Sequence, residues 1–113
     1  MVIGLGCDLV SIERMRHHYT EKLAKKILTS EEISGYNSAN DKALYLAKCW
    51  AVKEATWKSL SDKKLDMLKD VSYVSPNVHV VGQDDIDFLV SLSDDNGFVM
   101  ATVVAQKKEV YYE

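Results

Sequence analysis

Apolar residues recur along this chain at two different periods, and the clearest example of each predicts one kind of element. In Ala43–Leu60, ALYLAKCWAVKEATWKSL, a spacing of about 100° per residue places Leu46, Trp57, Trp50, Ala43, Ala47, Ala51, Leu44 and Ala55 on one half of a helix. Tyr45, Lys48, Cys49, Thr56 and Ser59 fall on the other half. Two charges intrude on the apolar half: Glu54 near its centre and Lys58 about one turn further on. An ionised carboxylate turned toward a core is costly unless a cation compensates it. A buried Glu54–Lys58 pair at i, i+4 would meet that need, as would a helix rolled to bring Glu54 to its rim. A second misplaced carboxylate, near the start of the chain, favours a functional account.

That second carboxylate is Asp8. Val2–Val10 is a nearly continuous apolar run, which predicts a strand buried on both faces. Alternation puts Ile3, Leu5, Cys7 and Leu9 on one face, and Val2, Gly4, Gly6, Asp8 and Val10 on the other. The two glycines leave room for close approach by another backbone or a ligand. A dinucleotide fingerprint is excluded, because Leu9 stands where its third glycine belongs and the chain does not alternate strands with helices.

Ser11 is the predicted cap of a helix beginning at Ile12, within a helical region reaching Lys26. Thr29 and Glu32 form a capping box for a short helix ending near Tyr36. Asn40 or Ser38 is the expected cap of the long helix, which should end near Ser59–Ser61. The second half changes period. Val71–Tyr73 and Val78–Val81 read as strands around Ser75-Pro76-Asn77, and Ile86, Phe88, Val90 and Leu92 alternate as a half-buried strand. Asp94-Asp95-Asn96-Gly97 signals a hairpin returning through Phe98–Ala105. The expected fold is α+β, an antiparallel sheet packed against a long helix, in a single domain over residues 1–113.

Charge adds one feature. The chain carries −3 overall, which argues against a general nucleic-acid binder. Yet Glu13–Lys26 holds Arg14, Arg16, Lys22, Lys25 and Lys26 against Glu13 and Glu21, a net +3, which suggests a surface for an acidic partner. His17 and His18 are adjacent, so their directions diverge on a helix and a shared metal is not expected. Cys7 and Cys49 do not make a disulfide framework and read as reduced structural thiols. With no signal peptide and no run of membrane-spanning length, a cytoplasmic protein without membrane contact is expected.

Asp8 at a strand end and Glu54 inward on a helix form a candidate two-carboxylate site. Hard oxygen ligands with few protein donors suit Mg²⁺, which keeps several waters and usually meets substrate phosphates as well. Lys58 is placed to hold a phosphate oxygen beside it. Chemistry alone reaches Mg²⁺-dependent handling of a phosphate or pyrophosphate.

Several stretches together resemble one family. Gly4-x-Gly6-x-Asp8, Ile27-Leu28-Thr29 with acidic residues after it, and Trp50-Ala51-Val52-Lys53-Glu54-Ala55 with Lys58 are similar to holo-acyl-carrier-protein synthases. These are the small bacterial 4′-phosphopantetheinyl transferases. Ser91-Leu92-Ser93 and Pro76 add to the resemblance, which spans nearly the whole chain. It implies a 4′-phosphopantetheinyl transferase-like fold and transfer of 4′-phosphopantetheine from coenzyme A to a serine of apo-acyl carrier protein, a step of fatty acid biosynthesis. Asp8 and Glu54 match the Mg²⁺ ligands, and Lys58 a phosphate contact. Lys63, Lys64, Pro76 and Ser93 are the other implied coenzyme A contacts, while Arg14, His18, Lys22 and Lys26 are the implied carrier contacts. A homotrimer with shared active sites is implied too. The proton of the attacking serine would pass to a metal-bound water or to a carboxylate such as Glu54.

The sequence departs from that family's pattern at three places. Cys49 replaces an arginine, with Lys48 beside it as a partial substitute; Leu60-Ser61-Asp62-Lys63-Lys64 replaces a Gly-rich phosphate loop; and Asp94 replaces a histidine. These touch coenzyme A binding more than the metal pair. Two other readings compete: a non-catalytic carrier-binding relative, and a Mg²⁺-dependent hydrolase of a nucleotide pyrophosphate.

Overall fold

The architecture turns on Asn96 and Gly97, whose φ angles of 52° and 85° form the left-handed pair that a tight hairpin needs. In the computed structural model, which describes residues 1–61 and 64–109, this turn folds Ile86–Asp95 back on Phe98–Lys107. In chain order the elements are β1 (Val2–Ser11), α1 (Ile12–His18), α2 (Glu21–Ile27), α3 (Ser30–Ser38), α4 (Lys42–Ser59), β2 (Val71–Val74), β3 (Asn77–Val80), β4 (Ile86–Asp95) and β5 (Phe98–Lys107). β1, β5 and β4 form an antiparallel sheet in that order, and β2 and β3 pair separately around a cis Ser75–Pro76 bond.

α4 lies across the inner face of the three-stranded sheet. Ala47, Ala51, Val52 and Ala55 pack on Val99, Ala101 and Val103, all fully buried. The helix has no true polar side. Cys49, Thr56 and Ser59 are buried, contrary to the pattern: Cys49 joins a cluster with Ala24, Ile27, Leu28 and Tyr36, and Ser59 lies against Gly4 of β1. The Thr56 and Ser59 hydroxyls donate to carbonyls of their own helix, Val52 at 2.7 Å and Thr56 at 2.6 Å, and so enter the core satisfied. Trp50 and Trp57 are only half-buried.

Gly4 and Gly6 set how closely α4 approaches β1. A Cβ at Gly4 would lie 1.7 Å from the Ser59 carbonyl oxygen, and one at Gly6 would lie 1.8 Å from that of Ala55. The room these glycines leave is therefore filled by a backbone.

Four other expectations are corrected. β1 is buried on one face only: Ile3, Leu5 and Leu9 are exposed, as are Leu89 on β4 and Met100 on β5. Cys7 shares this exposed face and has no structural burial, unlike Cys49. The basic region is two helices, because Tyr19 is extended and the Thr20 side chain caps a new start by accepting from Leu23 N. α4 is capped by Asp41, whose carboxylate accepts from Leu44 N at 3.1 Å, and not by Asn40 or Ser38.

Candidate functional site

Strand alternation and the glycine gap bring Asp8 to α4. Asp8 pairs with Ala101 and turns to the inner face, one turn of strand beyond the two contact glycines. Lys58 Nζ lies 3.4 Å from Asp8 Oδ1 and donates to the Cys7 carbonyl at 3.1 Å. The Asp8 side chain is only 10% exposed, whereas Lys58 is 43% exposed and so opens to solvent. Glu54 stands against Asp8. Its carboxyl is held above the usual range, first by the hydrogen-bonding contact with Asp8, then by burial and the Asp8 charge, with Lys58 opposing.

Asp8 Oδ2 is buried and has no hydrogen-bond donor. A buried carboxylate oxygen without a donor costs free energy unless a proton or a cation faces it. Two converging carboxylates with one such oxygen fit a hard divalent cation that keeps most of its own waters. No group of three or more His, Cys, Asp or Glu side chains placed to hold a metal occurs among the described residues.

A second ionic node was not singled out in the sequence. Lys53 and Glu32, both fully buried, pair at 2.7 Å. Lys53 Nζ also donates to the carbonyls of Leu68 (2.8 Å) and Val71 (2.5 Å). Glu32 accepts from Thr29 N at 2.7 Å and from Tyr73 N at 2.9 Å. The capping box revealed Glu32 as a local cap, but not its long-range cation. Thus the buried acid–base pair of α4 is Lys53–Glu32, while the Glu54 side stays half-open.

Three of the remaining candidates line two cavities that share no lining residue. Arg14 and His18 line one of about 370 Å³ with Leu9, Met15, Trp50 and Glu54. Lys22 and Lys26 are exposed on α2. Arg16 is diverted into a two-pronged pair with Asp41, 3.1 Å at each nitrogen, and so fastens α1 to the start of α4. Pro76 lines the other cavity, about 700 Å³, with Tyr45, Lys48, Cys49, Tyr73 and Leu92. Burial beside Glu32 pushes the Cys49 thiol up to about 12, so it stays protonated. Ser93 does not join Asp8 within one chain: it aligns with Met100 and Leu9 on the outer face, whereas Asp8 aligns with Ala101 and Leu92 on the inner one. Lys64 is exposed just after α4, and Lys63 lies outside the described residues.

The family model of the 4′-phosphopantetheinyl transferase superfamily matches residues 4–107. The chain belongs to that superfamily. A curated holo-[acyl-carrier-protein] synthase of Shewanella baltica (strain OS185) is 29% identical over 130 aligned positions, covering 95% of this chain and 98% of its own length. Its counterpart in Shewanella denitrificans is 36% identical over 96 positions, covering 82% of this chain and 72% of its own. Among solved structures, the holo-[acyl-carrier-protein] synthase of Neisseria meningitidis superposes with a TM-score of 0.82 at 27% identity, over 95% of this chain and all 100% of that one. The Helicobacter pylori synthase in complex with coenzyme A gives 0.72 at 28% identity, over 90% and 99%. The α+β fold read from the sequence is therefore the phosphopantetheinyl transferase fold.

Proposed function

We propose that this member of the 4′-phosphopantetheinyl transferase superfamily is a holo-acyl-carrier-protein synthase. It moves 4′-phosphopantetheine from coenzyme A to a serine of apo-acyl carrier protein and releases 3′,5′-ADP. The observation that carries the reading is the Asp8–Glu54–Lys58 cluster, with its donor-free buried oxygen, on a chain of this superfamily. The coenzyme A held by the Helicobacter pylori relative supports the donor.

Asp8 and Glu54 would hold one Mg²⁺ ion, which when bound supplies Lewis-acid polarisation and a template for the coenzyme A pyrophosphate. Lys58, anchored by the Cys7 carbonyl and open to solvent, binds a phosphate oxygen beside it. The carrier serine oxygen forms a bond to the β-phosphorus, and the bond from that phosphorus to the 3′,5′-ADP oxygen breaks. The serine proton passes to Glu54, which lies on the cavity that Arg14 and His18 also line, or to solvent. No nucleophile of this chain is required. Lys64, exposed just after α4, and Lys63 beside it in the sequence would supply further cations for the nucleotide phosphates.

The acidic carrier docks on Arg14, His18, Lys22 and Lys26. Homotrimer assembly on the exposed sheet face, through Ile3, Leu5, Leu9, Leu89 and Met100, is consistent with the separation of Pro76 and Ser93 from Asp8. Those residues would complete the site of a neighbouring copy. No helix among the described residues is long and apolar enough to cross a membrane, and we place the activity in the cytoplasm, in fatty acid biosynthesis.

One incubation tests the reading: coenzyme A, Mg²⁺ and apo-carrier protein, followed by intact mass of the carrier. A gain of one phosphopantetheine is expected. Cleaved coenzyme A with unmodified carrier would instead mark a pyrophosphate hydrolase, and no change would mark a carrier-binding relative.

A further inference from the structure

α2 has seven residues, too few to hold together by its own hydrogen bonds. Its C-terminal carbonyls have no partners inside the helix, and the helix end carries partial negative charge. A lysine more than forty residues away meets both needs. Lys69 Nζ donates to the carbonyls of Lys25 and Leu28, 2.7 Å each. Lys69 sits in a tight turn: Asp66 Oδ1 accepts from Leu68 N (2.9 Å) and Lys69 N (3.2 Å), and Asp70 Oδ2 accepts from Asp66 N (2.8 Å). That turn is in turn fixed to α4, because Lys53 holds the Leu68 and Val71 carbonyls. Val81 N closes it on the far side by donating to the Asp70 carbonyl at 2.9 Å. A continuous set of bonds therefore runs from the end of α2, through residues 66–71, to the residue next to Glu54.

We infer that Lys69 is a positioning residue for carrier recognition: it holds α2, and with it Lys22 and Lys26, in register with Glu54 on α4. The inference rests on the reading of α1 and α2 as the carrier-docking surface. Two of the three Nζ protons of Lys69 are committed to α2 carbonyls, so its role is exerted through the helix and not by direct contact with the carrier.

The test uses the full chain with coenzyme A, Mg²⁺ and apo-carrier protein, and compares Lys69→Met, Lys69→Arg and the double variant Lys22→Glu/Lys26→Glu. Lys69→Met should raise the carrier KM about fivefold, in keeping with the loss of helix-end bonds to a charged donor, while kcat and the coenzyme A KM stay within about twofold. Hydrogen exchange should show faster amide exchange over Leu23–Leu28 with α4 still protected. Lys69→Arg, which keeps the charge and the donors, should recover most of both effects. An unchanged carrier KM in Lys69→Met, alongside a raised one in Lys22→Glu/Lys26→Glu, overturns the inference alone. A raised KM with unaltered α2 exchange overturns it as well, since Lys69 would then touch the carrier directly. An unchanged KM in the double variant overturns the docking surface itself, and the inference with it.

Discussion

Lys58 Nζ reaches Asp8 Oδ1 at 3.4 Å across fifty residues of sequence, yet leaves Asp8 Oδ2 buried without a donor. The lysine thus neutralises half of a two-carboxylate site. Glu54 answers the remaining charge by holding its own proton more tightly, with its carboxyl raised above the ordinary 4.5. Such a pair is suited to exchange that proton for a divalent cation.

Glu54→Gln should keep the fold, because the amide is nearly isosteric, and lose Mg²⁺-dependent stabilisation together with transfer. A raised folded-state pKa contributes stability that is complete below the unfolded value and is lost as pH rises through the folded one. Metal-free Glu54→Gln should therefore gain on metal-free wild type as pH rises from about 4.5 toward 7. Thermal unfolding with and without Mg²⁺ across that range checks both parts. Equal Mg²⁺ stabilisation of the two proteins would remove the shared-ion reading.

Lys53→Met should be strongly destabilising. It strands Glu32 in the core without its cation, which costs about 3–5 kcal/mol. Adding Glu32→Gln removes the buried charge, so the double variant should be less destabilised than the sum of the single ones. Chemical denaturation of the four proteins measures the coupling; simple additivity would mean that the pair is not a unit.

The local signals in this chain were legible because they are short-range. Asn96-Gly97 named its hairpin, Thr29 and Glu32 their capping box, and Ser11 its cap, since each depends on residues within four positions. The face of α4 was misread because the burial of Cys49 and Ser59 comes from residues distant in sequence, the cluster of Ala24, Ile27, Leu28 and Tyr36 around Cys49 and Gly4 beside Ser59, which no periodicity within α4 reveals. Asp8 and Glu54 stood out by being charged where their neighbours are apolar, and the structure brings them together. Lys53 is equally misplaced, but it follows the same helix pattern as an exposed lysine would, so its burial had no local sign. The break at Tyr19–Thr20 was hidden by charges that run straight through it.

Carrier recognition should be electrostatic. Arg14 is exposed at the mouth of the cavity that reaches Glu54, and its side chain makes no ion pair among the described residues. Arg14→Glu should raise the carrier KM and leave that for coenzyme A little changed, and the wild-type carrier KM should itself rise with salt as screening shortens the attraction. Steady-state kinetics at two ionic strengths would show it. A fall in coenzyme A affinity would move Arg14 to the donor side.

The exposed sheet face should carry self-association. Leu5 is 64% exposed and Leu9 62%, beside Met100, an apolar surface that a lone chain rarely leaves open. Leu5→Glu should give a monomer by light scattering and lose transfer activity, because Pro76 and Ser93 would no longer meet a neighbour's Asp8. An active monomer would show that one chain holds a complete site.

Gly6→Ala tests whether the metal pair depends on helix–strand distance. The added methyl would begin 1.8 Å from the Ala55 carbonyl oxygen; one is bonded directly to a Cα and the other belongs to a backbone, so neither can swing aside. α4 must move away from β1. Overpacking of this kind costs about 1–3 kcal/mol or more, and part of it comes from Ala47, Ala51 and Ala55 losing contact with the sheet. The same displacement carries Glu54 and Lys58 away from Asp8, because they ride on α4 within one turn of Ala55. Mg²⁺-dependent stabilisation should then fall along with thermal stability. Gly82→Ala is the control: its Cβ meets nothing within 4 Å, and only its φ of 80° opposes the change, so it should lower stability while leaving Mg²⁺ binding intact. If Gly6→Ala kept wild-type Mg²⁺ affinity in its folded fraction, the two carboxylates would not owe their meeting to the glycine contact.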